Sequence, residues 1–287
     1  MELLQFTSKE FSMNLSLTQH KMKKIKYFIF QNGRLLERKL YQHLFEDGSA
    51  TASLDVLRTY QNKDGGFGNG LEPDLLCPDS SGIAMETAFY YLDMLDRPDD
   101  KIIRKSISWL LNNIKSDGTL TYPPESLNQY PHQPWWNNSD SSRILSIASY
   151  LKKWGYEDPE LSKQVQHFFD LSVLPHPLQF YDYPYYMYLK YFPRTEVREI
   201  QWKQVNVILP ELLAQEELHY PLIGRHWYHA MDNFSKKEQQ EQVQIWIENL
   251  QNDGGLKIVY EDLPWWRPIW TLDSLMVMKK FDLLEIV

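Results

Sequence analysis

A short turn written three times constrains this chain more than any other feature of its sequence. Tyr60-Gln61-Asn62-Lys63-Asp64-Gly65-Gly66-Phe67-Gly68 closes one stretch of helical periodicity, and Leu250-Gln251-Asn252-Asp253-Gly254-Gly255-Leu256 closes another nearly 190 residues later. A degraded copy, Lys115-Ser116-Asp117-Gly118-Thr119-Leu120, closes a third. Glycine takes the left-handed backbone that ends a helix, and the aspartate before it bonds local backbone amides. One Asp-Gly pair would be a helix stop and nothing more. Three copies, each followed by a loop of roughly 12–22 residues and an apolar helix, define a repeated unit of helix, turn, loop and helix. Such a hairpin cannot bury its apolar face alone, so the units must stack into a solenoid or close into a ring. Two of the loops carry the same triplet, Pro134-Trp135-Trp136 and Pro264-Trp265-Trp266.

The rest of the chain keeps the helical period. Ile25, Phe28 and Ile29 recur at three- and four-residue spacing, as do Leu35, Leu36, Leu40 and Leu44 after a break at Asn32-Gly33. Ala52, Leu54, Leu57 and Tyr60 continue the pattern, and further helices are predicted over 83–95, 101–114, 141–154, 159–171, 185–191, 205–215, 225–233, 236–250 and 269–284. Asp99, Asp140 and Ser235 stand where an N-cap oxygen is wanted. Strand-like alternation is scarce, 256–260 being the best stretch. The expected fold is all-α, with one domain over residues 21–287 and residues 1–20 as an appendage.

Composition removes several function classes. There are 38 acidic against 30 basic residues, a net charge of −8 and no basic stripe, which argues against nucleic-acid or anionic-membrane binding. Lys21, Lys23, Lys24 and Lys26 read as a solvated helix face. One cysteine, Cys77, excludes an intramolecular disulfide and any four-cysteine metal framework, and no histidine near it in sequence supplies a thiol nucleophile's partner. With neither an 18-residue apolar run nor a signal-peptide pattern, a cytoplasmic protein without a membrane span is expected. No Walker loop, dinucleotide fingerprint or Gly-x-Ser-x-Gly elbow occurs. The 10 Trp, 18 Tyr and 13 Phe are enough either to fill a helical core or to line a cavity.

Gln61-Asn62-Lys63-Asp64-Gly65-Gly66-Phe67-Gly68 resembles the Gln-rich, Gly-Gly-Phe turn of the prenyltransferase/squalene-cyclase repeat. The likeness continues into Glu86-Thr87-Ala88-Phe89-Tyr90-Tyr91-Leu92, which looks like the start of an inner helix. It covers 60–98 and 246–282, with a poorer copy at 115–154, and leaves 160–235 as diverged repeats. The segment 35–79, with Gly70-Leu71-Glu72-Pro73-Asp74, is also similar to a group of uncharacterised bacterial toroid proteins. The resemblance implies an α/α toroid of about five or six hairpins, each joining an outer helix to an inner one. Departures from the characterised members are equally informative. The Asp-x-Asp-Asp acid cluster of class II terpene cyclases is missing, and Asp96-Arg97-Pro98-Asp99-Asp100 is one residue too long and sits where a cap is needed. The Asp-Asp-x-x-Asp of class I chemistry is missing too, and Asp74-Leu75-Leu76-Cys77 lacks the Asp-x-Cys spacing of protein prenyltransferases.

In such a toroid the loops and the first turns of the inner helices share one mouth. That implies catalytic candidates Glu72, Asp74, Glu86 and Asp140, with Asp79 nearby, and ligand-binding candidates Trp135, Trp136, Arg143, Trp265, Trp266, Arg267 and Trp270. The tryptophans either plug the end of a helical barrel or serve a ligand, stabilising a carbocation or stacking on a sugar. The carboxylates either cap helices and face water or supply the acid and partner of glycoside hydrolysis. His226 and His229, at i and i+3 with Asp232 beyond, either share a metal or are satisfied within the core; no metal is assigned and no cofactor is specified. Three functions are therefore expected. The first is an enzyme or small-molecule binder with an acidic, Trp-rich central cavity, for which the resemblance suggests an isoprenoid-like ligand. The second is a carbohydrate-active enzyme using paired carboxylates, and the third a non-catalytic protein-binding scaffold. An isoprenoid site wants few carboxylates inside, whereas a sugar site wants carboxylates beside tryptophan.

Overall fold

The structure is a computed structural model and describes residues 16–138, 142–215, 220–257 and 260–287. Asp140 and most of the N-terminal appendage lie outside these residues. The fold is all-α. Its helices are α1 (Gln19–Asn32), α2 (Leu35–Phe45), α3 (Ala50–Arg58), α4 (Gly82–Met94), α5 (Asp100–Asn113), α6 (Arg143–Lys153), α7 (Pro159–Leu171), α8 (Tyr183–Tyr191), α9 (Glu196–Leu213), α10 (Lys236–Glu248) and α11 (Trp266–Lys280). No helix among the described residues is long and apolar enough to cross a membrane.

Two kinds of helix alternate. All thirteen residues of α4 are buried, as are Arg143–Leu151 of α6 and most of α8 and α11. By contrast α5 buries only the stripe Ile102, Ile103, Ser106, Trp109 and Leu110, and α7 and α10 are similarly one-sided. A helix covered all round belongs inside, and a striped one belongs between core and water. Accordingly α4 packs on α6 and α6 on α8, while α11 packs on α2 and α4; outside them α5 packs on α7, and α1 on α11 and α2.

The three turns are one structure. Gln61 bridges Phe67, Ile114 bridges Leu120 and Leu250 bridges Leu256, each across the same spacing. In each copy the aspartate Oδ1 accepts from the amide two residues on: Asp64 from Gly66 (2.9 Å), Asp117 from Thr119 (2.9 Å) and Asp253 from Gly255 (3.0 Å). The degraded copy thus keeps the geometry. Gly65, Gly118 and Gly254 have φ of +97°, +82° and +93°, and each lies against a further outer helix. A Cβ there would come within 2.2 Å of Lys105 O on α5, 2.5 Å of Phe168 on α7 and 2.5 Å of the Lys24 carbonyl carbon on α1. The last turn therefore rests on the first helix. The inner helices α4, α6 and α11 also end alike, with Arg97 N bonded to Leu92 O, Tyr156 N to Leu151 O and Leu283 N to Met278 O after a residue of positive φ.

Several boundaries differ from expectation. Asp99 and Ser235 do cap α5 and α10, accepting from Ile102 N (2.9 Å) and Glu238 N (3.3 Å). Helix α9 begins at Glu196 instead of 205, because Thr195 caps it and Arg198 is buried over Phe169 and Tyr188. The predicted helix at 225–233 is a 3-10 segment over Tyr228–Asn233. Helix α11 starts three residues early and stops at Lys280, where Asp282 turns left-handed. The 256–260 stretch lies partly outside the described residues, with Leu256 bridging Leu250; among the described residues β1 (Ser16–Leu17) runs parallel to β2 (Glu285–Ile286), joining the two ends of the described chain.

Candidate functional site

The loop after the first turn delivers two carboxylates. Arg34, held by Glu37, donates to Gly70 O (2.7 Å) and Leu71 O (3.0 Å) and so pins the backbone just before Glu72. Beyond Pro73 the chain is bound to the second loop, with Gln133 N donating to Asp74 O (3.0 Å) and Leu76 N to Pro131 O (3.0 Å). Glu72 and Asp74 are each only 5 % exposed. Thr87 Oγ1 on α4 donates to Glu72 Oε2 (2.8 Å), and Arg225 stands 3.6 Å from the same oxygen. Burial pushes the Glu72 carboxyl up to about 7; Arg225 opposes the shift and Asp74 adds to it. Burial also raises Asp74, against indole N–H groups of Trp136, Trp266 and Trp135, with Trp136 Nε1 donating at 2.9 Å.

Around this pair the first turns of three inner helices are linked. Glu86 on α4 accepts from Arg143 and Ser146 on α6 and from Tyr183 Oη on α8 (2.6 Å). Arg225 donates through Nε to Asp273 Oδ2 on α11 (2.6 Å) and lies over Tyr90, Tyr91 and Trp266. Above lies an aromatic rim from separate loops. Trp135, Tyr181 and Tyr260 are 47 %, 61 % and 44 % exposed. Trp135 meets Tyr260 (ring centroids 6.3 Å), Tyr260 meets Trp270 (5.8 Å), and Trp270 stacks on Trp266 (5.5 Å). Burial holds the Tyr181 hydroxyl above its usual range, with Tyr260 and Asp74 adding to the shift and Arg143 opposing it.

Of the predicted residues, Glu72, Asp74, Glu86, Trp135, Trp136, Arg143, Trp266 and Trp270 belong to this assembly. Trp265 turns elsewhere and, with Pro73 and Leu76, lines a separate cavity of about 140 Å³. Arg267 is tied to the third turn, donating to both oxygens of Asp253 (3.0 Å) and to Leu256 O (2.7 Å) over the ring of Phe28. Asp79 accepts from Ser126 (2.5 Å), whose hydroxyl lies 3.2 Å from the buried Cys77 Sγ. Asp140 lies outside the described residues. Arg225, Asp273, Tyr181, Tyr183 and Tyr260 went unnoticed in the sequence. For Asp273 there was a signal: a carboxylate between Leu272 and Leu275 in an otherwise buried helix requires a charged partner.

The two histidines occupy different surroundings. His226 lies against Phe180, Tyr181 and Tyr183. His229 sits in a second network, where Nδ1 bonds Tyr191 Oη (2.9 Å) and the ring lies on Tyr228. That network centres on Asp93 near the end of α4, which accepts from Lys153 (2.6 Å), Trp154 Nε1 (3.1 Å) and Tyr228 Oη (2.8 Å). Burial works against the Asp93 charge, but Lys153, His229 and Lys280 outweigh it and hold the carboxyl below its usual range. No group of three or more His, Cys, Asp or Glu side chains gathers for a metal among the described residues. No known protein family matches this sequence, and no curated protein does.

Proposed function

We propose that the chain is an α/α toroid related to the prenyltransferase/squalene-cyclase repeat proteins, and that it acts on carbohydrates. The toroid reading draws its support from the turns, which lean on successive outer helices until the last meets α1, and from the pairing of β1 with β2. Among the functions that the sequence leaves open, the chemistry of the site favours the sugar over the isoprenoid. Glu72, Asp74, Glu86, Arg143, Arg225 and Asp273 are gathered in one neighbourhood with the aromatic residues, and a bare hydrocarbon would cover such groups without giving them a hydrogen bond. Sugar hydroxyls bond such groups while the ring faces stack on indole and phenol.

One observation carries the reading: a buried carboxyl raised to about 7 beside a second carboxylate and under tryptophan. With its carboxyl raised to about 7, Glu72 is about half protonated at neutral pH, and that fraction can give a proton to a leaving glycosidic oxygen. The test is a panel of neutral oligosaccharides and isoprenoid diphosphates, read by thermal shift and by release of reducing ends. At least one oligosaccharide should raise the Tm and be cleaved, and Glu72→Gln should still bind it while losing about 10²–10⁴-fold in rate. Stabilisation by isoprenoid diphosphates alone would restore the other reading.

A further inference from the structure

Charge is left unbalanced in the candidate site. Glu86 is paired with Arg143, and Asp273 with Arg225 (2.6 Å), which also stands 3.6 Å from Glu72. Asp74 is as deeply buried as Glu72 but has no ion-pair partner among the described residues. Its side chain accepts one hydrogen bond there, at Oδ1 from Trp136 Nε1 (2.9 Å). Oδ2 accepts none and, unlike Asp273 Oδ1, is not sealed from solvent. Gln133 N holds the Asp74 carbonyl (3.0 Å) and Leu75 N holds that of Glu72 (3.1 Å), so the carboxylate is presented from a fixed backbone.

The surroundings of this carboxylate are aromatic. Burial raises it, and the indole N–H groups of Trp136, Trp266 and Trp135 oppose the rise. From the buried Trp266 the rings run outward: Trp270 at 5.5 Å, Tyr260 a further 5.8 Å on, then Trp135 at 6.3 Å, the last two exposed. An indole donates one hydrogen bond and brings no net charge, so a buried carboxylate among indoles still wants a cation. Ring faces attract cations as well. A carboxylate with one free oxygen and aromatic walls is the combination that receives an ammonium group. A second anion is repelled there, and a hydroxyl leaves the charge unmatched.

We propose that Asp74, with Trp136 and Trp266, forms the subsite for a ligand's ammonium group, and that the preferred carbohydrate is therefore an amino sugar with a free amine; the choice of sugar rests on the carbohydrate reading. The ammonium donates to Asp74 Oδ2, and the sugar carbons beside it lie against the indoles. When Glu72 is protonated, Asp74, Glu86 and Asp273 face only the guanidiniums of Arg143 and Arg225, and the ligand supplies the missing cation. An N-acetylated amine in the same place brings no charge.

The test compares glucosamine oligomers with N-acetylglucosamine oligomers of the same length, by titration calorimetry at about pH 6, where an amine keeps its proton. The wild type should bind the free-amine series about 10–100-fold more tightly, as a charge-assisted hydrogen bond allows. This comparison depends on no variant folding. In Asp74→Asn, whose amide oxygen can still accept from Trp136, the ratio of the two affinities should fall to about one, and Asp74→Glu should bring part of it back. Equal affinity of the two series for the wild type overturns the ammonium subsite alone, as does a preference that survives in Asp74→Asn. Binding of neither series, while another neutral oligosaccharide binds, has the same meaning. If no oligosaccharide of any kind is bound, the carbohydrate reading falls and takes the amino sugar with it.

Discussion

Glu72 has a cost that can be measured without any ligand. Its carboxyl rises from 4.5 to about 7 on folding, so the folded state holds the proton more tightly than the unfolded one. The stability this contributes is complete below about pH 4.5 and is lost as pH rises through about 7, a change of about 3 kcal/mol. Glu72→Gln should therefore melt higher than the wild type at about pH 8 and level with it at about pH 4.5, as a pH series of melting curves would reveal. His229 has the opposite sign. Burial, opposed by Asp93 and reinforced by Lys153, Lys190 and Lys280, holds it well below the usual range. Its contribution is complete above about pH 6.5 and is lost as pH falls below that value. His229→Gln should flatten the acid side of the same series. At this scale the sequence was legible where one unit carried several residues. Glu72, Asp74 and Trp136 occupy the stretch between an Asp-Gly turn and the next inner helix, and Trp266 opens such a helix. Arg225 and its partner Asp273 lie 48 residues apart, and no local pattern joins them.

The turn is the element with the most severe demands. Gly254 must be left-handed and must also let the Lys24 backbone approach within the radius of a methyl group, and Gly65 meets Lys105 in the same way. Gly155 is left-handed as well, φ +77°, but has nothing within 4 Å of a built Cβ. Gly155→Ala should thus cost only the backbone term, about 1–2 kcal/mol. Gly65→Ala and Gly254→Ala should cost clearly more, because an outer helix has to move; urea midpoints of the three variants decide it. Helix existence was readable from periodicity because most helices bury one regular stripe or an unbroken apolar run. The first turns of α9 were not, since the buried residue there is Arg198, covered by its own stem and by two rings. The segment at 225–233 kept an apolar rhythm yet folded as 3-10, its shape dictated by Trp227, Tyr228 and His229 fitting among the rings of α6 and α8.

For the molecule as a whole, the contact between the two ends of the described chain is the testable feature. Beyond the pairing of β1 and β2, Gln19 N donates to Val287 O (2.7 Å) and Val287 N to Leu17 O (3.1 Å). Joining residue 287 to residue 16 by a short linker, and opening the chain at Val173, which is 87 % exposed, should give a circular permutant with the wild-type circular dichroism and nearly the same Tm. Loss of cooperative melting in that permutant would count against the proposed toroid. The same contact has a consequence during synthesis. Helix α1 leaves the ribosome well before α11, with Met22, Ile25, Phe28 and Ile29 on its buried face. Part of the cover for that face is α11 and the turn at Gly254, some 230 residues downstream, which at ribosomal speeds is a delay of about 10–50 s. During that interval a sticky helix waits without its final partner, so the yield of native protein in the cell should depend on how fast the message is read and on the chaperones that meet the chain as it emerges.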